Sequence, residues 1–154
     1  MAPKVARRLE LDVSYASREP WAPNAPLLRQ WAEAALSHAG HFVLSVRIVG
    51  KARSRSLNSR YRRKDQPTNV LSFAGAGIAP DGRSFLGELV ICAPLVAREA
   101  RAQHKTLDAH WAHLTIHGVL HLLGFDHERD KEAKKMAARE IQILDRLGFL
   151  DPYR

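Results

Sequence analysis

The stretch HGVLHLLGFDH, residues 117–127, sets three histidines at the spacing H-x3-H-x5-H. His117 and His121 are four apart, so on a helix they stand one turn apart on one face, where two imidazoles can reach one ion. Gly124 follows three residues after His121. Glycine readily takes the left-handed conformation that often ends a helix. The chain can then reverse and carry His127 back toward the same ion. Three imidazoles from a helix, a turn and a loop make a tripod with a fourth position open. That is the catalytic form of a zinc site; structural sites usually close with four protein ligands. His113 and His117 form another i,i+4 pair, but His113, His117 and His121 together span ~12 Å of helix, too far for one ion. The expected ligands are therefore His117, His121 and His127. His110 and His113 are candidates for contacts just behind that site or toward a substrate.

The same stretch decides the architecture. It closes a helix expected over 109–123, with Asp108 as N-cap. Trp111, Leu114, Thr115, Val119 and Leu122 give that helix apolar packing on both flanks. A helix apolar nearly all round is a buried central one, so the rest of the chain must pack around it.

The histidine spacing also matches the metzincin protease pattern H-E-x-x-H-x-x-G-x-x-H at every fixed position but one. The glutamate that acts there as general base is Gly118 here. The departure points to a metal hydrolase other than an ordinary protease. A base must come from elsewhere, and Asp126, beside His127, is a candidate. Its competing role is to hold a ligand imidazole or to cap the turn.

Working upstream, Pro94 suits the first turn of a helix to about Gln103. FLGELVI, 85–91, reads as a strand; its Glu88 faces either solvent or the site. Residues 75–82 are a Gly/Pro/Asp loop, and Val70–Phe73 is a short apolar strand. Residues 51–63 form a basic amphipathic helix, and Lys64 extends its charge. HFVLSVRIV, 41–49, is the clearest strand, with Phe42, Leu44, Val46 and Ile48 on one face. Asn24 caps a helix whose stripe is Leu27, Leu28, Trp31, Ala35 and Leu36, ended by Gly40. Leu9–Tyr15 alternates as a half-buried strand, and residues 1–8 are expected to be loose. Downstream, a final helix turns Ala133, Met136, Ala137, Ile141 and Leu144 inward until Gly148 stops it. The periodicity gives one α+β domain over 1–154: a small mixed sheet of about four strands with about five helices, and the metal site on the central helix and following loop.

Lys and Arg number 24 against 16 Asp and Glu, a formal charge of +8 that makes an anionic partner, nucleic acid first, a natural candidate. The single cysteine, Cys92, sits in an apolar run and excludes an internal disulfide framework, which fits a reducing compartment. No N-terminal apolar segment reads as a signal peptide, and no run approaches the ~20 apolar residues of a membrane span. A cytoplasmic protein with no membrane partner is expected.

HGVLHLLGFDH, together with NSRYRRKDQPTNVLSF and LGELVICAP upstream, closely resembles the YbeY family of bacterial endoribonucleases, from about Leu9 to Tyr153. The resemblance implies an α+β fold holding one zinc ion by His117, His121 and His127. It implies cleavage of single-stranded RNA in small-subunit rRNA 3′ end maturation and ribosome quality control, with the ribosome or small-subunit proteins as partners. It assigns a functional role to Arg62, read here as a phosphate clamp. Arg60, Arg63 and Lys64 are candidate substrate contacts. Arg63 stands where many relatives have glycine, and Glu88 where some have aspartate. The nucleophile, water or a ribose 2′-OH, stays open. Two other readings compete: a metzincin-like metalloprotease or amidohydrolase, and a non-catalytic RNA- or ribosome-binding module stabilised by zinc.

Overall fold

The computed structural model describes residues 7–17, 21–125 and 128–154. Asp126 and His127, two of the expected site residues, lie outside the described residues. Among the described residues the chain forms β1 (Arg7–Tyr15), α1 (Ala25–Ala34), β2 (Gly40–Val49), α2 (Lys51–Arg62), β3 (Val70–Ile78), β4 (Arg83–Cys92), α3 (Ala93–Ala102), α4 (Leu107–Leu122) and α5 (Asp130–Arg146). The four strands make one mixed sheet in the order β1-β2-β4-β3. β1 and β4 flank β2 in parallel, and β3 pairs antiparallel with β4 at the edge. The α+β expectation holds.

Strand alternation divides the core. Phe42, Leu44, Val46 and Ile48 of β2, with Leu89 and Ile91 of β4, bury one face against α1 and α4. The opposite face carries a smaller cluster, Val49, Leu71 and Val90, closed by Leu57 of α2. α4 touches the sheet on one side and α1, α3 and α5 on the others. Its Trp111, Ile116 and Val119 are fully buried. It is the central helix its composition requires.

α4 begins two residues earlier than expected. Thr106, not Asp108, is the N-cap, its Oγ1 accepting from Ala109 N at 3.1 Å. Asp108 instead lies in the first turn, where a carboxylate favours the helix dipole. At the other end Gly124, at φ 104°, donates to His121 O, and Phe125 N reaches Leu120 O at 3.1 Å. This paired closure satisfies the last carbonyls and turns the chain sharply. The helix stop anticipated at Gly124 is real.

Other expectations need correction. Gly40 does not end α1; the helix stops at Ala34, and Ala35 and Leu36 continue the apolar stripe in a tight turn, bonded to the carbonyls of Ala32 and Glu33. Gly40 opens β2 instead. Arg7 and Arg8 belong to β1 rather than to a loose terminus. The loop placed at 75–82 is strand as far as Ile78. A β-carbon at Gly75 would lie 2.3 Å from Phe85 O and one at Gly87 2.0 Å from Phe73 O, so these glycines admit a close, irregular pairing of β3 with β4. In α5 the buried residues are Met136, Glu140, Ile143 and Leu144; Ile141 is only partly buried. No helix among the described residues is long and apolar enough to cross a membrane.

Candidate active site

A cleft of about 720 Å³ runs along the edge strand β3, between the C-terminal end of α2 and the histidine face of α4. His113, His117 and His121 line it from α4, and Tyr61 and Arg62 from α2. Thr68 through Phe73 form the wall between them, and Glu128 and Tyr153 close the far side. The sequence-predicted ligands His117 and His121 thus share one cavity with Arg62. Glu128, which directly follows His127, lines that cavity too.

The α2 wall is built by polar residues that are buried. Ser54 donates to Thr68 O at 2.8 Å and accepts from Thr68 N at 2.9 Å, while Asn58 Nδ2 donates to Gln66 O at 2.8 Å. These bonds pin the segment 66–69 to the helix. Asn69 Nδ2 then donates to Glu99, which also pairs with His110 Nε2 at 2.8 Å, so the start of β3 is tied to α3 and α4. Burial pushes the Glu99 carboxyl up, but hydrogen bonds from His110 and Asn69 outweigh it and hold the group below its ordinary 4.5. His110 therefore has a structural role on this wall.

Arg55 is committed elsewhere, in a two-point pair with Asp65 at 2.7 and 3.0 Å. Arg62 is exposed at the cleft, and no ion pair engages it among the described residues. Arg60, Arg63 and Lys64 are exposed but do not line the cleft. Arg63 ends α2 in the left-handed region, φ 56° and ψ 34°, which accounts for a glycine being acceptable there. Glu88 does not line the cleft and pairs with Arg47 at 3.1 Å. Cys92 is fully buried. Tyr61 is 58% exposed and stands edge-on to Phe73 at 5.0 Å.

Behind the histidines lies a group the sequence reading missed. Glu140 of α5 is 1% exposed. Its Oε1 accepts from His113 Nε2 at 2.6 Å and from His117 Nδ1 at 3.3 Å. Tyr153 Oη lies 3.0 and 3.1 Å from its two oxygens and donates to that carboxylate. Burial pushes the Glu140 carboxyl up, yet the bonds from His113 and His117 prevail and hold it at about 2. The Tyr153 hydroxyl is pushed up by its own burial and by the Glu140 charge. His113, His117 and Glu140 lie close enough, within 4.8 Å of one another, to be a group that could hold a metal ion. A signal for Glu140 existed: it is four residues after Met136, on the inward stripe of α5, where a carboxylate needs partners.

The donor chemistry at the cleft suits a transition metal. Two imidazoles one turn apart reach the same cavity, and one of them is backed by a carboxylate, the usual companion of a metal-bound histidine.

The solution structure of TM1509 from Thermotoga maritima has the same fold, at 22% identity over 90% of this chain and 92% of that one, with a TM-score of 0.55. The sequence profile described as endoribonuclease YbeY matches residues 21–148. With that match over most of the chain, and with its histidine helix and Arg62 meeting at one cleft, the protein belongs to the YbeY family of endoribonucleases.

Proposed function

We propose that this protein is a zinc-dependent endoribonuclease that cuts single-stranded RNA at the cleft beside β3, acting in small-subunit rRNA 3′ end maturation and ribosome quality control. The observation that carries the reading is the meeting of Arg62, which no ion pair engages among the described residues, with His117 and His121 in one cavity. His117, His121 and His127 would hold the ion. When bound there, zinc supplies Lewis acidity that polarises a phosphoryl oxygen.

The chain's own residues do the rest. Arg62 offers two parallel N–H donors to the non-bridging oxygens of the scissile phosphate and offsets charge gathering there in the transition state. Tyr61 presents an aromatic ring beside it, on which a base of an unpaired strand can stack; a base held in a duplex cannot reach it. Gly118 offers no side chain to act as base, so proton removal falls to another group, with Asp126 the candidate. The excess of basic residues draws the polyanion in. The ribosome or small-subunit proteins are the natural carriers of such a substrate, and the cytoplasm the natural compartment.

The test is cleavage of matched single-stranded and duplex RNA oligonucleotides by the wild type and Arg62→Glu, with end-group analysis of the products. The wild type should cut the single strand preferentially and Arg62→Glu should cut neither. A 2′,3′-cyclic phosphate end would identify the ribose 2′-OH as nucleophile. Equal cutting by Arg62→Glu would remove the phosphate-clamp role. No cleavage by the wild type would favour the binding-module reading.

A further inference from the structure

We propose that Glu140 is the residue that positions His117 for metal binding: its Oε1 accepts a hydrogen bond from Nδ1–H, so that Nε2 is the ligating nitrogen. His113 and Tyr153 fix the carboxylate through their own hydrogen bonds. This rests on His117, His121 and His127 being the ligands.

The 3.3 Å from Glu140 Oε1 to His117 Nδ1 suits a partner or a fellow ligand, so the His113 contact and the burial distinguish the two. Two donor atoms on a tetrahedral zinc, each ~2.0–2.1 Å from the ion, stand roughly 3.3 Å apart. Glu140 Oε1 and His113 Nε2 are 2.6 Å apart, a hydrogen-bond length with no room for an ion between them. The carboxylate is also 1% exposed and sits on the protein side of the histidines, whereas His117 and His121 line the cavity. Three donors converge on Glu140: His113 Nε2, His117 Nδ1 and Tyr153 Oη. A carboxylate so placed fixes which nitrogen of His117 carries the proton and how the ring is turned, and it raises the basicity of the opposite nitrogen. Tyr153 reaches it from the last residues of the chain, so the C-terminal segment takes part in holding the histidine.

Zinc affinity by competition with a chromophoric chelator, and the visible absorption of the cobalt-loaded protein, test this on the wild type, Glu140→Gln, Tyr153→Phe and His121→Ala. Glu140→Gln keeps the shape of the side chain and loses the charge. It should bind one ion per chain with an unchanged cobalt spectrum but about 10–100-fold more weakly. Tyr153→Phe, at a partly exposed tail position, should weaken binding in the same direction by less. Far-UV circular dichroism of the metal-free proteins separates this from misfolding; if Glu140→Gln fails to fold, Tyr153→Phe decides. Unchanged affinity in both variants overturns the positioning role while leaving the ligand set standing. A changed spectrum in Glu140→Gln, with metal retained by His121→Ala, makes Glu140 a ligand itself and overturns both. A wild type that binds no metal removes the reading on which the proposal rests.

Discussion

A β-carbon at position 118 would lie 2.6 Å from Leu89 Cδ2 and 3.1 Å from Cδ1, because α4 presses on β4 there. Leu89 is fully buried and has nowhere to withdraw. Proteases with this histidine spacing carry glutamate at that position; here the contact between helix and sheet leaves no room for a glutamate side chain, which is why the base must lie elsewhere. Gly118→Ala gains about 1 kcal/mol of helix propensity but overpacks the core at a cost of roughly 1–3 kcal/mol. A net loss of about 1 kcal/mol is expected in urea denaturation. Gly118→Glu should lose far more and acquire no peptidase activity. Arg63 gives the opposite case. Its left-handed conformation costs a non-glycine residue roughly 1–2 kcal/mol, partly offset by the greater freedom glycine loses on folding. Arg63→Gly should leave stability unchanged or raise it by up to about 1 kcal/mol, as read by the midpoint of the same titration.

At the scale of elements, α3 and α4 are tied to the cleft wall through Glu99. That carboxyl has a lowered folded value, so it contributes stability above pH 4.5 that is lost as the pH falls through the lowered value. Glu99→Gln should therefore show a shallower fall in stability below pH 4.5 than the wild type, in melts taken across that range. Thr106→Ala, which removes the α4 cap, should cost about 1 kcal/mol without altering metal content. These helices also explain what the sequence disclosed. Periodicity revealed α4, β2 and the Gly124 stop because burial and a left-handed turn leave direct marks on residue type. It did not reveal that β3 runs on through Gly75 and Gly77, because glycines that admit a close backbone pairing look the same as glycines in a loop. Residue type did not disclose that Ser54 and Asn58 are buried, since their partners are backbone groups of a loop beyond the helix. Glu140 was hidden for the same reason: its partners, His113, His117 and Tyr153, come together only in the folded chain. His117 and His121 were legible from motif spacing and Arg62 only from the family resemblance, while their convergence on one cleft needed the structure.

Over the whole molecule, the charge of +8 and the cleft with Arg62 at its edge make RNA affinity dependent on salt. Binding of a single-stranded oligonucleotide, followed across a salt series, should weaken steeply, and Arg62→Ala should reduce the slope of log K against log salt by about 1. A slope unaltered by that change would place the phosphate path elsewhere on the surface. The central claim, that the histidine helix and Arg62 form one metal-dependent RNA-cutting site, is tested most directly by measuring bound metal and cleavage of single-stranded RNA in the same preparations. The proteins are the wild type, His121→Ala and Arg62→Glu, each purified without a metal-binding tag. The account predicts one zinc per chain and cleavage in the wild type, loss of both in His121→Ala, and metal retained with cleavage lost in Arg62→Glu. Cleavage that persists in metal-free His121→Ala would contradict it.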